Sequence, residues 1–299
     1  GTTGTVIGDV VTPTLNTTPE SYELHQAFSQ MVEAGCEYAV MEVSSQGIKM
    51  HRTDGLYFDY GIFTNISPDH IGPGEHADFE EYLYYKTRLL NMCRIGLVNK
   101  DDEHAEQIIK AADCELYTYS EKGKEADFSA SDIRYVSQPD FVGTEFHISG
   151  KYDMEVRLGI PGLFNVVNAL AAVSVCSFLD LDKEKISHAL EHIRVNGRME
   201  IVYTSERCTV LVDYAHNAVS MESLLSTLRD YKPKRLVCVF GCGGNRSKDR
   251  RYSMGEIGGK LADLSIITAD NSRYEKVEDI IADIRGSIEK TGGSFIEIP

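Results

Sequence analysis

The chain has 299 residues, 42% of them hydrophobic, which is enough for two domains that each bury a core of their own. Lys and Arg total 30 against 46 Asp and Glu, and a formal net charge of -16 repels nucleic acid, which we therefore exclude as a partner. No apolar run reaches the length that crosses a bilayer, and the start lacks the basic and apolar stretches of a signal peptide, so we expect a cytoplasmic protein without membrane contact.

Apolar runs alternate with segments of helical periodicity, which is typical of βαβ units around a mostly parallel sheet and predicts an α/β fold. The first predicted helix has Thr18 as N-cap and Pro19 as its first residue. Strands are predicted in the same half of the chain at residues 38–43, 60–64 and 95–98. A second helix is predicted from about Phe79, where apolar residues recur at helical spacing.

In the middle of the chain, the alternation of predicted strands and helices is interrupted. Residues 121–132 are polar and are predicted as a loop. Three short β-rich runs follow at residues 133–136, 145–148 and 154–158 and predict a small antiparallel appendage. Two helices are then predicted at residues 163–178 and 183–193.

Regular alternation restarts after an irregular stretch at residues 194–198. Strands are predicted at residues 209–212, 235–240 and 264–268 and near Phe295. Helices are predicted between them at residues 219–229, 254–261 and 277–288. We place a domain boundary near Gly197, because few contacts should cross a short linker between two complete alternations.

The cysteines predict neither a disulfide framework nor a zinc site. There are seven, an odd number, and none forms a CxxC pair. We expect reduced thiols that pack as small buried hydrophobes.

Polar residues follow two predicted strands in the first half. Glu42 stands near the end of the strand at residues 38–43, and His70 follows the strand at residues 60–64. Open α/β sheets bind ligands at the carboxyl ends of their strands, so both side chains could reach one divalent cation such as Mg²⁺. On residue types alone, a solvated glutamate and a structural histidine are the commoner interpretation.

Lys86 is a cation amid Tyr84, Tyr85, Leu89 and Leu90 in a predicted helix. Taken alone, this pattern is typical of a lysine whose stem packs on the protein while its ammonium reaches water. Residue type therefore assigns Lys86 no chemical role.

A glycine-rich turn carries the main anion-binding pattern of the second half. Residues 241–246 read GCGGNR between a predicted strand and a predicted helix, where glycines let backbone amides approach an anion. The cations in and after this turn are Arg246, Lys248, Arg250 and Arg251. In so acidic a chain they favour an anionic ligand over the alternative, a tight turn followed by solvated charges. The polar residues 213–217 and 270–273 also directly follow predicted strands.

A series of short strings, in order along almost the whole chain, resembles the Mur ligase family. They read NTTPE from Asn16, MEVSS from Met41, FTN from Phe63 with Asp69 and His70, Asn165 with NALAA from Asn168, GRME from Gly197, DYAHN from Asp213, GCGGNR from Gly241 and DNSR from Asp270. Within the family, NTTPE, GCGG and DNxR resemble the members that add the third peptide residue. The resemblance implies a central ATP-binding domain of the Mur-ligase ATPase type with a mixed sheet in residues 1–196, and a Rossmann-like domain that binds the amino acid in residues 197–299.

The same resemblance implies an ATP-dependent ligase of peptidoglycan precursor synthesis, and so a role in cell-wall biogenesis, cell shape and cell division. ATP would phosphorylate the carboxylate of UDP-N-acetylmuramoyl-L-alanyl-D-glutamate, and the amine of an amino acid would displace phosphate from the acyl phosphate. Negative charge gathers between phosphates and carboxylates, so Mg²⁺ and fixed cations should supply most of the stabilisation. The implied partners are this dipeptide and an amino acid, and we expect a monomer.

The resemblance also implies residue roles. It makes Glu42, His70 and Lys86 catalytic: Glu42 and His70 would bind Mg²⁺, and CO₂ would convert Lys86 to a carbamate that binds a second Mg²⁺. The residues implied for the UDP-muramoyl substrate are Asn16, Thr17, Thr18, Ser44 and Arg52. Those for the nucleotide are Asn165, Asn168, Arg198, Asp213 and His216, and those for the incoming amino acid are Arg246, Asp270, Asn271 and Arg273.

The chain departs from the family pattern in several places. The phosphate-binding loop of the family, GxxGKT or GxxGKS, does not occur, the domain that holds uridine has no counterpart, and the last domain stops early. We therefore expect a fragment that alone lacks ligase activity and binds ATP poorly, because no other stretch supplies the amides and lysine that hold the β and γ phosphates. Gln46 replaces a common histidine, Met50 a common glutamine, and residues 71–78 the usual loop.

Two other functions fit parts of the pattern. A folylpolyglutamate synthase would share the ligase core, but that family usually has glycine where Tyr214 stands and lacks GCGGNR and DNxR. A non-catalytic relative would bind muramoyl peptide without releasing phosphate. Among amino acids, Arg273 favours meso-diaminopimelate over L-lysine, because a guanidinium can grip the additional carboxylate. The alternative is a surface arginine that pairs with Glu275 or Asp279.

Overall fold

The computed structural model describes residues 1–68 and 71–299 and confirms the α/β class. The α-helices are α1 (Ser21–Glu33), α2 (Ser45–Lys49), α3 (Phe79–Thr87), α4 (Ala105–Ala111), α5 (Leu163–Cys176), α6 (Lys183–Glu191), α7 (Ala218–Asp230), α8 (Lys248–Leu261) and α9 (Val277–Thr291). The strands are β1 (Thr5–Ile7), β2 (Val10–Thr12), β3 (Phe58–Phe63), β4 (Cys93–Asn99), β5 (Glu115–Ser120), β6 (Phe128–Gln138), β7 (Phe141–Gly150), β8 (Met154–Leu158), β9 (Glu200–Thr204), β10 (Thr209–Val212), β11 (Val237–Phe240), β12 (Leu264–Thr268) and β13 (Phe295–Ile298). Within the described ranges, no helix is both long and apolar enough to cross a membrane.

The larger sheet has the strand order β3-β4-β5-β6-β7-β8. Its first strands are parallel, with Tyr60 opposite Ile95, and β6 joins them in parallel register through Tyr119 and Phe128. The three runs predicted to form a small antiparallel appendage lie in β6, β7 and β8, which continue this same sheet and so do not form a separate element. Phe128 and Ala130, within the stretch predicted as a loop, are buried and begin β6. Sequence alternation identifies strands but does not say which sheet they join.

The strand predicted at residues 38–43 is wrong. The structure assigns no strand there, and the segment pairs with none of the described strands. Its apolar side chains face solvent, with Val40 95% exposed and Tyr38 57% exposed. A strand requires a neighbour whose amides and carbonyls complete the hydrogen-bond ladder, and the described residues provide none at this place.

Helix α1 begins later than predicted. Its N-cap residue is Glu20, whose side chain makes no capping hydrogen bond, whereas the predicted cap was Thr18. Thr18 is fully buried, and its hydroxyl instead donates to the Glu42 carbonyl (2.9 Å) and accepts from the Ser44 N–H (2.9 Å). A segment distant in sequence thus takes up the hydroxyl that local sequence would assign to the helix.

In the second half, the elements lie close to their predicted positions, except that α8 starts early. It begins at Lys248 rather than near Met254, because the Ser247 side chain accepts a hydrogen bond from the Asp249 N–H and caps the helix. The sequence prediction missed the shorter elements β1, β2, α2, α4, β5 and β9.

A smaller parallel sheet has the order β11-β12-β13, and β9 pairs with β10 separately in antiparallel register. Helices α7, α8 and α9 pack with this sheet around a core that includes Met221, Leu225, Met254, Ile267, Ile284 and Ile288. Strand β11 leads directly into residues 241–246, and β12 leads into residues 269–273. The fold therefore positions both predicted amino-acid-binding loops at carboxyl ends of neighbouring parallel strands.

Residue contacts divide the chain into two compact units. Unit 1 contains residues 1–131, 148–153 and 170–181, and unit 2 contains residues 132–147, 154–169 and 182–299. This division crosses β6, β7 and α5. A domain boundary near Gly197 stays a prediction.

All seven cysteines carry free thiols, but their surroundings differ. Burial raises the pKa of Cys93 to about 12, and the Cys114 thiol, 3.8 Å away, adds to the shift. Cys36 and Cys208 are exposed, so the expectation of buried cysteines is wrong for these two. Sequence alone does not distinguish the two kinds.

We expect a thiol reagent at pH 8 to label Cys36 and Cys208 quickly and Cys93 hardly at all. The thiolate is the reactive form, and a thiol whose pKa is raised to about 12 stays neutral until the pH approaches that value. Mass spectrometry of labelled peptides measures the difference, and denatured protein, in which all seven thiols should react, is the control. Fast labelling of Cys93 in the native chain would contradict its burial.

Candidate functional site

The first residues of the chain hold the Glu42 carboxylate in place. Its Oε2 accepts hydrogen bonds from the Thr2 backbone N–H (3.0 Å) and the Thr2 hydroxyl (2.7 Å). Its Oε1 accepts none from the residues that the structure describes. An oriented carboxylate with one available oxygen is a hard ligand of the kind that Mg²⁺ prefers.

Thr18 and Ser44, both predicted to contact substrate, use their hydroxyls within the protein. Ser44 caps α2, and its Oγ accepts from the Gly47 N–H (2.9 Å). A Cβ atom at Gly47 would lie 2.8 Å from Thr18 Cγ2, so glycine is needed for this approach. The arrangement fixes the backbone that carries Glu42, while the substrate contacts stay predictions.

Glu20 brings together two residues predicted to bind the muramoyl substrate. Its Oε1 lies 2.9 Å from Arg52 Nε and accepts from Asn16 Nδ2 at 3.4 Å. Arg52 also donates to the Thr18 carbonyl at 3.4 Å. Thr17, which lies between Asn16 and Thr18 in sequence, is half-buried. The polar cluster could bind a substrate through the exposed edge of the guanidinium.

Lys86 lies in the last turn of α3, and its ammonium is directed toward the chain just after β3. Its Nζ donates to the Asn65 carbonyl at 3.0 Å and lies 5.4 Å from the ring centroid of Tyr82. Asn65 follows the carboxyl end of β3, so Lys86 reaches a strand end of the kind where α/β sheets bind ligands.

His70 lies outside the described residues, as does Asp69, so the predicted role of His70 as a metal ligand stays a prediction. Within residues 1–68 and 71–299, no three His, Cys, Asp or Glu side chains are grouped to hold a metal ion. The predicted set is of another kind, since it combines Glu42 and His70 with a modified Lys86.

Residues 71–78, which replace the usual family loop, are attached to helix α2. Gln46 donates to the Gly74 carbonyl at 3.0 Å. His76 is fully buried, and its Nε2 lies 2.9 Å from Ser45 Oγ. Gln46 and residues 71–78, the two places where the sequence is predicted to depart from the resembled family, are therefore in contact with each other.

Three residues predicted to bind nucleotide meet around Tyr214. Both Asp213 carboxylate oxygens accept backbone N–H groups, including that of Met199 at 2.9 Å. The Arg198 guanidinium lies 5.0 Å from the Tyr214 ring centroid, and the His216 ring lies 5.0 Å from the same centroid. The structure thus assembles a cation, a carboxylate and two aromatic rings just after β10.

Asn165 and Asn168 lie near the start of helix α5. Asn165 Nδ2 donates to the Pro161 carbonyl at 2.7 Å, and Asn168 Nδ2 donates to Asn165 Oδ1 at 3.4 Å. The two amides therefore form a linked pair, and their contact with nucleotide stays a prediction.

The loops that carry the residues predicted to bind the amino acid touch each other directly. The Gly244 N–H donates to the Asn271 carbonyl at 2.8 Å. A Cβ atom at Gly244 would lie only 1.8 Å from the Ser272 carbonyl oxygen, so no other residue fits there without moving one loop. This contact joins the loop of Arg246 to the loop of Asp270, Asn271 and Arg273.

Both arginines of these loops present unpaired guanidinium groups. Arg246 and Arg273 are exposed, and neither side chain forms an ion pair or hydrogen bond with any described residue. The alternative pairing of Arg273 with Glu275 is not formed, because Glu275 pairs with Arg251 at 2.8 Å. Two free guanidiniums on joined loops suit a ligand that carries carboxylates.

The basic cluster predicted after the glycine turn is only partly available to an anion. Lys248 Nζ lies 3.1 Å from Asp283, and Arg251 pairs with Asp283 (2.9 Å) as well as with Glu275. The expectation that all four cations favour an anion is therefore wrong for these two. The sequence signal that we missed is the acidic residue at helical spacing in α9, which faces the first turn of α8.

Two family models match the chain: the Mur ligase middle domain over residues 1–176, and the Mur ligase glutamate ligase domain over residues 197–298. The chain belongs to the Mur ligase family. A Mur ligase of Caldanaerobacter subterraneus subsp. tengcongensis, the UDP-N-acetylmuramoyl-L-alanyl-D-glutamate–2,6-diaminopimelate ligase, is 39% identical over 304 residues, a match that covers 100% of this chain and 61% of that relative. The ligase of the same name from Clostridium perfringens is 38% identical over 292 residues, with 95% and 59% covered.

Solved Mur ligase structures agree with this assignment. One structure of a UDP-N-acetylmuramoyl-L-alanyl-D-glutamate–2,6-diaminopimelate ligase superimposes with a TM-score of 0.78 at 30% identity, and the match covers 100% of this chain and 61% of that one. A folylpolyglutamate synthase from Thermotoga maritima shares the fold at a TM-score of 0.66 and 18% identity, with 94% and 63% covered. The chain spans about three fifths of the length of the curated Mur ligases that it matches.

Proposed function

We propose that the complete reading frame encodes an ATP-dependent ligase that adds meso-diaminopimelate to UDP-N-acetylmuramoyl-L-alanyl-D-glutamate, with L-lysine as the alternative amino acid. The observation that carries this proposal is the hydrogen bond from Gly244 to Asn271, which joins two loops that each present a guanidinium without a partner among the described residues. The names of the relatives support the same substrates.

The reaction that we propose has two steps. The dipeptide carboxylate attacks the γ phosphorus of ATP, so that an oxygen–phosphorus bond forms, the bond to the β-phosphate oxygen breaks and ADP leaves. The amine of the amino acid then attacks the acyl carbon, a carbon–nitrogen bond forms, phosphate leaves and the amine loses a proton. Arg246 and Arg273 would hold carboxylates of the amino acid, which orients its amine.

Glu42 and His70 would hold one Mg²⁺, and a carbamoylated Lys86 would hold a second. The available Oε1 of Glu42 fits the first ion, because it is an anionic oxygen on a carboxylate already fixed by Thr2. When bound, the ion neutralises charge that gathers between phosphates and carboxylate. The Asn65 carbonyl, now 3.0 Å from Lys86 Nζ, can accept a hydrogen bond from the carbamate N–H as well.

The remaining predicted residues would bind the two larger substrates. Arg52, with Asn16, Thr17, Thr18 and Ser44 nearby in sequence or space, would hold the muramoyl substrate. The nucleotide would be bound by Asn165, Asn168, Arg198, Asp213 and His216. Arg198 offers a cation for phosphate, and Asp213 keeps lone pairs that can accept hydroxyl groups.

We also propose a domain boundary near Gly197, which the gap between the two family matches supports, at residues 177–196. The first domain would bind ATP through Asn165 and Asn168, and the second would bind the amino acid and contribute Arg198, Asp213 and His216 to the nucleotide site. The enzyme would act as a monomer in the cytoplasm, where ATP is available, without membrane or nucleic acid.

The direct test is an assay of the purified product of the complete reading frame with Mg-ATP. Phosphate release should require both the UDP-muramoyl dipeptide and an amino acid, and mass spectrometry should detect the tripeptide. A folate substrate with glutamate is the matched control and should give no product. Turnover with the folate mixture but not with the muramoyl mixture would contradict the proposal and indicate a folylpolyglutamate synthase. Absence of phosphate release in every mixture would also contradict it and indicate a non-catalytic binding protein.

A further inference from the structure

A buried guanidinium lies beneath the two amino-acid loops. The Arg251 side chain is 1% exposed, and its NH1 donates to Asp283 (2.9 Å) while its NH2 donates to Glu275 (2.8 Å). Burial of a charge is unfavourable unless charged partners surround it, and removal of one partner leaves the other uncompensated. Arg251 therefore fixes Glu275 and Asp283 relative to helix α8.

Glu275 transmits this constraint to the glycine turn. The Oε1 atom that receives Arg251 also accepts the backbone N–H of Asn245, next to Arg246. The hydrogen bond from Arg251, together with that from Asn245, lowers the pKa of Glu275 below its ordinary value, so the carboxylate stays charged at neutral pH. One carboxylate thus connects α8 to the loop of Arg246.

The two loops are also connected to each other through the Asn245 side chain. Asn245 Oδ1 accepts the Tyr274 N–H at 3.1 Å, next to Arg273. Asn245 and Arg273 both have φ of 50°, in the left-handed region that non-glycine residues rarely adopt. Such backbone persists only where surrounding contacts hold it, and the contacts here include the hydrogen bond from Asn245 N–H to Glu275 as well as that from Tyr274 N–H to Asn245.

The positions of Arg246 and Arg273 are therefore determined by the contacts that hold their loops. Neither guanidinium of Arg246 or Arg273 has a side-chain partner in the described part of the chain. The position of each side chain therefore depends on the backbone of its loop. We propose that Arg251 is a positioning residue for amino-acid specificity, which acts through Glu275 to set Arg246 and Arg273 at the spacing that grips the carboxylates of the incoming amino acid. This inference rests on the proposed ligase function.

The test compares Arg251→Lys, Arg251→Met and Glu275→Gln in the product of the complete reading frame. Misplacement of substrate-holding groups by about 1 Å can cost on the order of 10²-fold, so we expect KM for meso-diaminopimelate to rise at least about tenfold. KM for ATP and for the UDP-muramoyl dipeptide should change less than about threefold, within ordinary mutational scatter. The double variant Arg251→Met with Glu275→Gln should be no worse than the worse single variant, because both changes break one connection.

Arg229→Met is the matched control. Arg229 forms a similar two-point pair with Asp263 in the same unit, with both contacts at 3.0 Å, but it touches neither loop. It should lower the unfolding temperature without a change in KM for the amino acid. Thermal unfolding of each variant separates loss of fold from loss of positioning, and Arg251→Lys keeps the charge if Arg251→Met does not fold.

Several outcomes would overturn the inference. One is an unchanged KM for the amino acid in folded Glu275→Gln and Arg251→Lys. Another is an equal rise in KM for all three substrates, which indicates a general structural role. If the unmodified enzyme shows amino-acid-dependent turnover, these results refute the inference alone. If it shows none, the proposed function fails and the inference fails with it.

Discussion

Replacing Lys86 with alanine in the product of the complete reading frame should lower kcat by about 10²- to 10³-fold, the usual cost of removing one charge-stabilising group from such a site. We expect this because Lys86 Nζ reaches the Asn65 carbonyl after β3, on the same chain segment that leads to His70. As a carbamate, the side chain would supply an anionic oxygen beside the phosphates. Short-chain carboxylates such as acetate should partly restore kcat, since they can supply that oxygen from solution.

Lys110→Ala is the matched control for this experiment. Lys110 is also a lysine in the last turn of a helix, α4, but it is exposed and carries no predicted role. Its loss should leave kcat within about twofold, as for ordinary surface substitutions, and acetate should have no effect. Near-normal turnover of Lys86→Ala would refute the assignment, and so would an equal effect of acetate on both variants.

Much of the fold can be predicted from local sequence pattern, because the spacing of apolar residues differs between helices and strands. The helix predicted from Phe79 is found as α3, and Asp78 caps it by accepting the Glu81 N–H at 2.8 Å. Pattern fails where a distant partner decides. Residues 38–43 form the apolar run of a strand but have no described neighbour to pair with, and the Thr18 hydroxyl bonds to Glu42 and Ser44 instead of capping α1.

The candidate site shows the same limit at the level of charge. Arg246 and Arg251 lie five positions apart, and from the sequence both are equally good candidates to bind an anion. In the structure, Arg251 is buried against two carboxylates and Arg246 is exposed. Which arginine is neutralised depends on where α9 lies, and that is tertiary information. The sequence could identify the candidate residues of the site, but not which of its cations remain available to a ligand.

Arg273 should make the enzyme prefer meso-diaminopimelate over L-lysine by about 10²-fold or more in kcat/KM, because an unpaired charged donor costs a few kcal/mol when lysine leaves it without a carboxylate. Among the described residues this guanidinium has no partner, and Glu275, its nearest acidic neighbour in sequence, pairs with Arg251 instead. Arg273→Met should therefore lower kcat/KM for meso-diaminopimelate strongly and change that for lysine little, so that the preference largely disappears. Arg207→Met, a change at an exposed arginine in the turn between β9 and β10, should leave the preference intact. A clear preference of the unmodified enzyme for lysine would refute the diaminopimelate assignment while leaving the ligase chemistry standing, because Arg273 is proposed to bind the amino acid and to take no part in forming the acyl phosphate.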